Sequence, residues 1–215
     1  ISACLVGSEM CIRDSYKEHP ELKGRQSKGH TFSLGANIFD IFGEVFFKDP
    51  ISKEDMVRIY GREKNERCYR WTKRSYITHP DNLDKYKVIL PKSNGSKSLG
   101  DAQMTPIIGD PALGEPSVGY TDTFIGIGAF DSRSEAEACL KYIKTKFART
   151  MLGILKVTQD NPKDTWRFVP LQDFTSGSDI DWSQSVADID HQLYKKYALT
   201  PDEIAFIEEK VRPMV

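Results

Sequence analysis

The sequence has no Pro-Pro pair, only four cysteines in 215 residues, and no apolar run long enough to cross a bilayer. Cys4 and Cys11 lie near the start, and Cys68 and Cys139 are too few for a disulfide framework. The four histidines have no metal-ligand spacing with these cysteines. These absences argue against a secreted disulfide scaffold, a membrane-spanning protein and a zinc domain, so we expect a cytoplasmic chain without a membrane partner.

The first fifteen residues, ISACLVGSEMCIRDS, differ in character from the rest and resemble translated sequencing-adapter sequence. A short native segment and a signal peptide are the alternatives. The signal-peptide interpretation is weakened because no basic residues open the segment and Glu9, Arg13 and Asp14 interrupt its apolar residues. We expect residues 1–15 to be a non-native leader and the native sequence to begin near Tyr16.

Charge is distributed unevenly, although the net charge is only -1. Residues 58–97 contain eleven basic and four acidic side chains, and residues 141–167 contain seven basic and two acidic ones. Residues 170–215 reverse this balance, with four basic and nine acidic side chains. A basic middle beside an acidic tail is typical of a phosphate-facing surface, but such runs also occur on ordinary solvated faces.

The hydrophobic pattern predicts a mixed α/β (α+β) fold. The predicted fold comprises a β-rich globule, a long packed helix and a C-terminal helical pair. Alternating runs at 56–60 and 67–72 predict a hairpin, and runs at 86–90, 121–130 and 166–169 predict further strands.

Caps and apolar spacing predict the helices. Ser132 or Ser134 begins the first helix, and its apolar stripe runs from Ala136 to Ile154 at spacings of three and four residues. Ser185 begins the second helix, and Thr200, followed by proline and then by glutamate at the third position, begins the third.

DNA binding needs cations for phosphates and planar polar side chains for base edges. Such residues are interleaved with aromatic residues at 67–74. They also occur in the loop after the strand predicted at 86–90, and along and just beyond the long helix. The candidates are Arg67, Arg70, Arg74, Lys92, Ser93, Asn94, Lys97, Lys144, Arg149, Lys156 and Gln159. Ordinary surface charge or turn chemistry is the alternative for each, and Ser93-Asn94-Gly95 is also a plain turn signal.

Five motifs follow one another in order: PKSNG (91–95), EAEACLKYIKTKFARTMLG (135–153), KVTQDN (156–161), FVPLQDF (168–174) and IDHQLYKKYALTPDEIAFIE (189–208). The series resembles the C-terminal target-recognition region of adenine-specific (N6) DNA methyltransferases from type II restriction–modification systems. Some members of that family also carry a restriction endonuclease in the same chain. The resemblance extends from about Phe32 to Val211, and it is shared in part with the recognition domains of type I specificity subunits.

This resemblance implies that the partner is double-stranded DNA. It also implies a methylase core, upstream in the same chain or as a separate subunit, which would use S-adenosylmethionine; this fragment would hold no cofactor. Residues 16–50 would then be the end of that core or a connector, residues 51–182 the target-recognition domain, and residues 183–215 C-terminal helices.

The catalytic residues of that family are not found in this sequence. Its Asn/Asp-Pro-Pro-aromatic loop, which holds a flipped-out adenine, has no counterpart, since Asp49-Pro50 and Asp110-Pro111 continue into isoleucine and alanine. Gly126-Ile127-Gly128 does not continue into a Gly-x-x-Gly turn, so sheet packing is its better interpretation. We assign no catalytic, cofactor-binding or metal residue, and activity of this chain alone stays an open question.

Two other functions stay open. A divergent Mg²⁺-dependent nuclease would use Asp179 and Asp181, although these residues also suit a helix start or an Asx turn. A non-catalytic specificity or interaction subunit would instead dock a partner through its acidic C-terminal helices.

Overall fold

The fold is known from a computed structural model that describes residues 10–52, 55–78, 81–94, 99, 103–156 and 160–214. Its strands are β1 (Met56–Glu63), β2 (Glu66–Lys73), β3 (Tyr86–Pro91), β4 (Ala112–Gly114), β5 (Val118–Tyr120) and β6 (Phe124–Phe130). Its α-helices are α1 (Ser15–Glu18), α2 (Ile38–Ile41), α3 (Arg133–Lys144), α4 (Lys146–Leu155), α5 (Val186–Lys196) and α6 (Pro201–Lys210). Short 3₁₀ helices occupy Pro20–Leu22, Lys28–His30, Arg74–Tyr76 and Lys163–Phe168. The mixed α/β prediction is confirmed.

The described strands form two three-stranded sheets, in the orders β2-β1-β5 and β4-β3-β6. The predicted hairpin is confirmed as the antiparallel pair β1–β2, closed between Glu63 and Glu66. Lys64 and Asn65 at its tip have φ of 48° and 70°. Positive φ at both positions is what a two-residue hairpin turn requires, because it matches the twist of the strands.

Strand β3 lies at the centre of its sheet and is buried on both faces. Val88 and Leu90 belong to a core formed with α3, α4, α5 and α6, whereas Ile89 belongs to a second core formed with β1, β5 and the N-terminal region. Alternate residues of a strand point to opposite faces, so β3 joins the two cores. The C-terminal helices therefore share a core with the β4-β3-β6 sheet.

Residues 10–15 are packed into the second core. Met10 and Ile12 are buried, and the amide of Ile12 donates to the carbonyl of Phe32 at 2.8 Å. The non-native origin of residues 1–15 stays a prediction.

The prediction of one long helix is wrong at Thr145, where the chain is extended (φ -60°, ψ 146°) and separates α3 from α4. Two caps stabilise the new helix start. The Thr145 hydroxyl accepts from the amide of Ala148 at 3.1 Å. The carboxylate of Asp190, on α5, accepts from the amides of Lys146 and Phe147, each at 2.9 Å. These bonds satisfy donors that a helix start would otherwise leave unpaired.

The prediction of a strand at 166–169 is also wrong, because Lys163–Phe168 is a 3₁₀ helix. The amide of Thr165 donates to the carbonyl of Pro162, and the amide of Val169 donates to the carbonyl of Trp166, both at 3.0 Å. The large ring of Trp166 is buried in the first core, so tertiary packing outweighs the strand preference of this aromatic-rich segment.

The two C-terminal helix starts are confirmed. Ser185 accepts from the amide of Asp188 at 3.2 Å, and Thr200 forms a reciprocal capping box with Glu203. Among the described residues, no helix is both long enough and apolar enough to cross a membrane.

Asp190 makes the stability of the fold depend on pH. Burial raises the pKa of its carboxyl from 3.8 to about 6, although the amides of Phe147 and Lys146 and the charge of Arg149 oppose the shift. Between these values the native state holds a proton that the unfolded chain has lost, so stability falls as pH rises through the native pKa. We expect the wild type to lose up to about 3 kcal/mol of unfolding free energy between about pH 4 and about pH 7, relative to Asp190→Asn. Urea unfolding across this range checks the expectation, and parallel pH profiles for the two proteins would contradict it.

Candidate nucleic-acid interface

The loop after β3 and the segment after α4, which are distant in the sequence, are paired in the structure. Ser93 forms an antiparallel bridge with Asp160, and the amide of Asn161 donates to the carbonyl of Lys92 at 2.8 Å. The amide of Lys92 donates in turn to the carbonyl of Thr123 at 2.8 Å. Lys92 is half-buried, whereas Ser93 is exposed. The backbone that leads into Asn94 is therefore fixed on both sides.

Lys156 ties this loop to the protein interior. Its side chain is buried, and its ammonium donates to Oδ1 of Asn94 at 2.5 Å and to the carbonyl of Ile107. Burial lowers the pKa of Lys156 to about 8, although the charge of Asp160 opposes the shift. Lys156 is thus a support for the loop and not a surface cation.

An open cleft of about 790 Å³ brings several predicted residues together. Its walls come from β2, the loop after β3, the loop before β4, the end of α3 and the C-terminal segment. The lining residues are Arg67, Asn94, Gln103, Met104, Thr105, Pro106, Ile108, Gly109, Asp110, Pro111, Lys144, Arg212, Pro213 and Met214. Three candidates from distant parts of the sequence, Arg67, Asn94 and Lys144, therefore face one space.

The charge of this cleft is predominantly positive. Among the described lining residues, Arg67, Lys144 and Arg212 stand against one carboxylate, that of Asp110. The guanidinium of Arg67 donates to the backbone carbonyl of Asp110 at 3.4 Å and lies 5.8 Å from the centre of the Phe124 ring. In the part of the chain that the structure describes, the exposed guanidinium of Arg212 has no hydrogen-bond or ion-pair partner.

Arg212 was not among the residues predicted from the sequence, because its place depends on a long-range contact. The amide of Thr105 donates to the carbonyl of Lys210, and the amide of Arg212 donates back to Thr105, each at 2.9 Å. This short parallel pairing lays the C-terminal segment along the cleft. A lone arginine after an acidic helix carries no local signal for this position.

Arg149 lies behind the cleft wall and not on the surface. It is 1% exposed, and one nitrogen, Nη1, donates to the carbonyls of Pro106 and Arg212 at 3.1 and 2.7 Å. Nε donates to the carbonyls of Lys144 and Thr145, both at 3.1 Å. Burial lowers the pKa of Arg149 to about 10, and its Nη2 has no hydrogen-bond partner among the residues that the structure describes. In this conformation a phosphate cannot reach Arg149, but its charge adds to the positive potential of the cleft.

Arg70 and Arg74 are held by carboxylates and do not line the cleft. Arg70 forms an ion pair with Glu63. Arg74 binds Asp55 at 2.9 Å and Asp84 through two nitrogens at 2.9 and 2.7 Å. These contacts join the end of the hairpin to neighbouring loops. The two remaining candidates, Lys97 and Gln159, lie outside the described residues.

A second cleft of about 920 Å³ is larger but acidic and hydroxyl-rich, with Glu135, Glu137, Asp179 and Asp181 in its lining. Asp181 accepts from the amide and hydroxyl of Ser183, so it closes an Asx turn. Asp179 pairs with Lys196 at 2.7 Å. Within the described ranges, no group of three His, Cys, Asp or Glu side chains is placed to hold a metal ion. An acidic cleft repels phosphates, so the smaller basic cleft is the better candidate for nucleic acid.

The glycine pair of β6 is closely packed against aromatic rings of the protein. A side chain at Gly126 would collide with the ring of Tyr120, and one at Gly128 would collide with Phe130. The space next to each glycine is therefore filled by the protein itself, in agreement with the sheet-packing interpretation.

The chain matches no protein-family model, no curated protein and no solved structure.

Proposed function

We propose that this chain binds double-stranded DNA through the basic cleft, as the target-recognition part of a site-specific adenine-N6 DNA methyltransferase. The observation that carries the proposal is the meeting of Arg67, Asn94 and Lys144 at one cleft with Arg212. Cations positioned around a planar amide suit both tasks of a DNA reader, which are to hold phosphates and to contact base edges.

In this proposal Arg67, Lys144 and Arg212 contact phosphates and fix the position of the duplex. Contacts of this kind give affinity that depends little on base sequence and strongly on salt. Asn94 supplies the base contact, and its pairing with Lys156 keeps it in place. Arg149 takes no direct part and holds the cleft walls together from behind.

The methyltransferase assignment rests on the ordered motifs and concerns the parent protein. Methyl transfer and the binding of S-adenosylmethionine would belong to a methylase core, joined to this chain or bound as a subunit. The assembly would act in the cytoplasm, where its DNA substrate lies.

Arg212→Ala tests the cleft directly. We expect this substitution to weaken binding to duplexes of random sequence by about tenfold at low salt, because it removes one charge-assisted hydrogen bond to a phosphate. The measurement is fluorescence anisotropy with labelled duplexes.

Lys195→Ala is the matched control, since Lys195 is an exposed cation of α5 that does not line the cleft. It should bind DNA as the wild type does. Equal weakening of DNA binding in both variants would indicate that the DNA interface lies outside the cleft. Absence of binding by the wild type at low salt would favour the interaction-subunit alternative.

A further inference from the structure

The side-chain amide of Asn94 has a fixed orientation. An ammonium group can only donate hydrogen bonds, so the atom that faces Lys156 must be the amide oxygen, Oδ1. Lys156 is itself buried and held by the carbonyl of Ile107. The bridge between Ser93 and Asp160 fixes the preceding backbone. Asn94 therefore cannot exchange its oxygen and nitrogen without breaking the contact with Lys156.

The other end of the amide is a donor. Within the described ranges, Nδ2 of Asn94 is shielded from solvent and has no hydrogen-bond partner. Its residue nevertheless lines the cleft and is only partly buried. An unpaired, desolvated donor is unfavourable, and a ligand in the cleft that brings an acceptor to Nδ2 would relieve the cost.

We propose that Asn94 contacts a base edge as a donor only, and that Lys156 is the positioning residue that imposes this polarity. The inference rests on the proposed function and names the base that the cleft selects. Asparagine reads adenine through two bonds, and one of them needs the amide oxygen to accept from the adenine 6-amino group. Lys156 takes one lone pair of that oxygen and holds it towards the buried ammonium, so the amide cannot present its oxygen and nitrogen together to adenine. Guanine, which presents two acceptors in the major groove, is the preferred base at this position.

The test is selection of bound duplexes from a random pool by the wild type, Asn94→Ala and Lys156→Met. The wild type is expected to select guanine at one position by about tenfold over adenine. Asn94→Ala should lose the preference at that position alone. Lys156→Met frees the amide oxygen and should admit adenine there. Selection of adenine by the wild type at the Asn94-dependent position would overturn the inference, as would a Lys156→Met preference identical to that of the wild type.

Lys146→Met is the control for removal of a buried lysine. Lys146 is 9% exposed and pairs with Glu208, but it does not line the cleft. We expect this variant to keep the wild-type base preference. A shift like that of Lys156→Met would show that the effect is general destabilisation and would overturn the inference.

The two proposals fail in different ways. No wild-type binding to any duplex at low salt would end the proposed function, whereas salt-dependent binding with unchanged base preference in both cleft variants would end this inference alone.

Discussion

Arg149→Ala is expected to lower the free energy of unfolding by about 3–5 kcal/mol. The substitution removes the shared donor of four backbone carbonyls, those of Pro106, Arg212, Lys144 and Thr145, and opens a cavity in the interior. It also takes away a positive charge that acts on the buried carboxylate of Asp190. Urea unfolding measures the decrease, and the thermal midpoint should fall by about 10 °C.

Arg133→Ala is the control for removal of an arginine. Arg133 is exposed and pairs with Glu137 at 2.8 Å and Glu115 at 3.2 Å, and such surface pairs contribute little. We expect no resolvable change in its unfolding midpoint. An Arg149→Ala protein with wild-type stability but no affinity for DNA would contradict the structural role, because its guanidinium would then have to contact DNA directly.

Lys87→Met is expected to cost about 2–4 kcal/mol of stability. Lys87 is fully buried, and its ammonium donates to the carbonyls of Leu83, Glu115 and Val118 at 3.1, 3.0 and 2.8 Å. These bonds tie β3 to the loop and strand that lead into the other sheet. Methionine fills the space of the stem but removes a hydrogen bond from all three carbonyls, although those of Leu83 and Glu115 still accept from the amides of Ser117 and Val118. It also removes the cost of burying a charge.

Burial lowers the pKa of Lys87 to about 8. Above this value the native state releases a proton that the unfolded chain still holds, so the contribution of Lys87 makes stability rise as pH increases from about 8 to about 10.5. Lys87→Met should lack this rise, which denaturation at several alkaline pH values measures. Lys85→Met, which removes a half-buried lysine paired with Asp131, should retain it. Identical stability and pH profiles for Lys87→Met and the wild type would contradict the role assigned to the ammonium.

Local signals predicted most of the elements. The caps at Ser132, Ser185 and Thr200 were readable from the sequence because a cap hydroxyl and the amide that donates to it are only three positions apart. The β1–β2 hairpin was readable for the same reason, since its turn and its alternation both lie within one short segment.

Distant contacts account for the errors. The apolar stripe of the long helix continues through Thr145 without interruption, but Asp190 caps a new helix there from 44 positions away. The break changes the phase of the helix, so Arg149, a predicted DNA contact, points into the interior. The strand predicted at 166–169 failed because burial of Trp166 decides its conformation.

The candidate site was partly predictable. Residue chemistry selected Arg67, Asn94 and Lys144 without indicating that they share one cleft. It could not separate them from Arg70 and Arg74, because the carboxylates that hold those two arginines come together only in the fold. Arg212 depends on pairing between residues 105 and 211, which no local pattern reports.

The salt dependence of duplex binding tests the central claim most directly. For the wild type we expect the logarithm of the association constant to fall linearly with the logarithm of salt concentration. Substitution of Arg67, Lys144 and Arg212 by alanine should make that slope shallower by about 0.9 for each phosphate that is no longer neutralised. A wild-type slope that the triple substitution leaves unchanged, or no binding at low salt, would contradict DNA binding at the basic cleft.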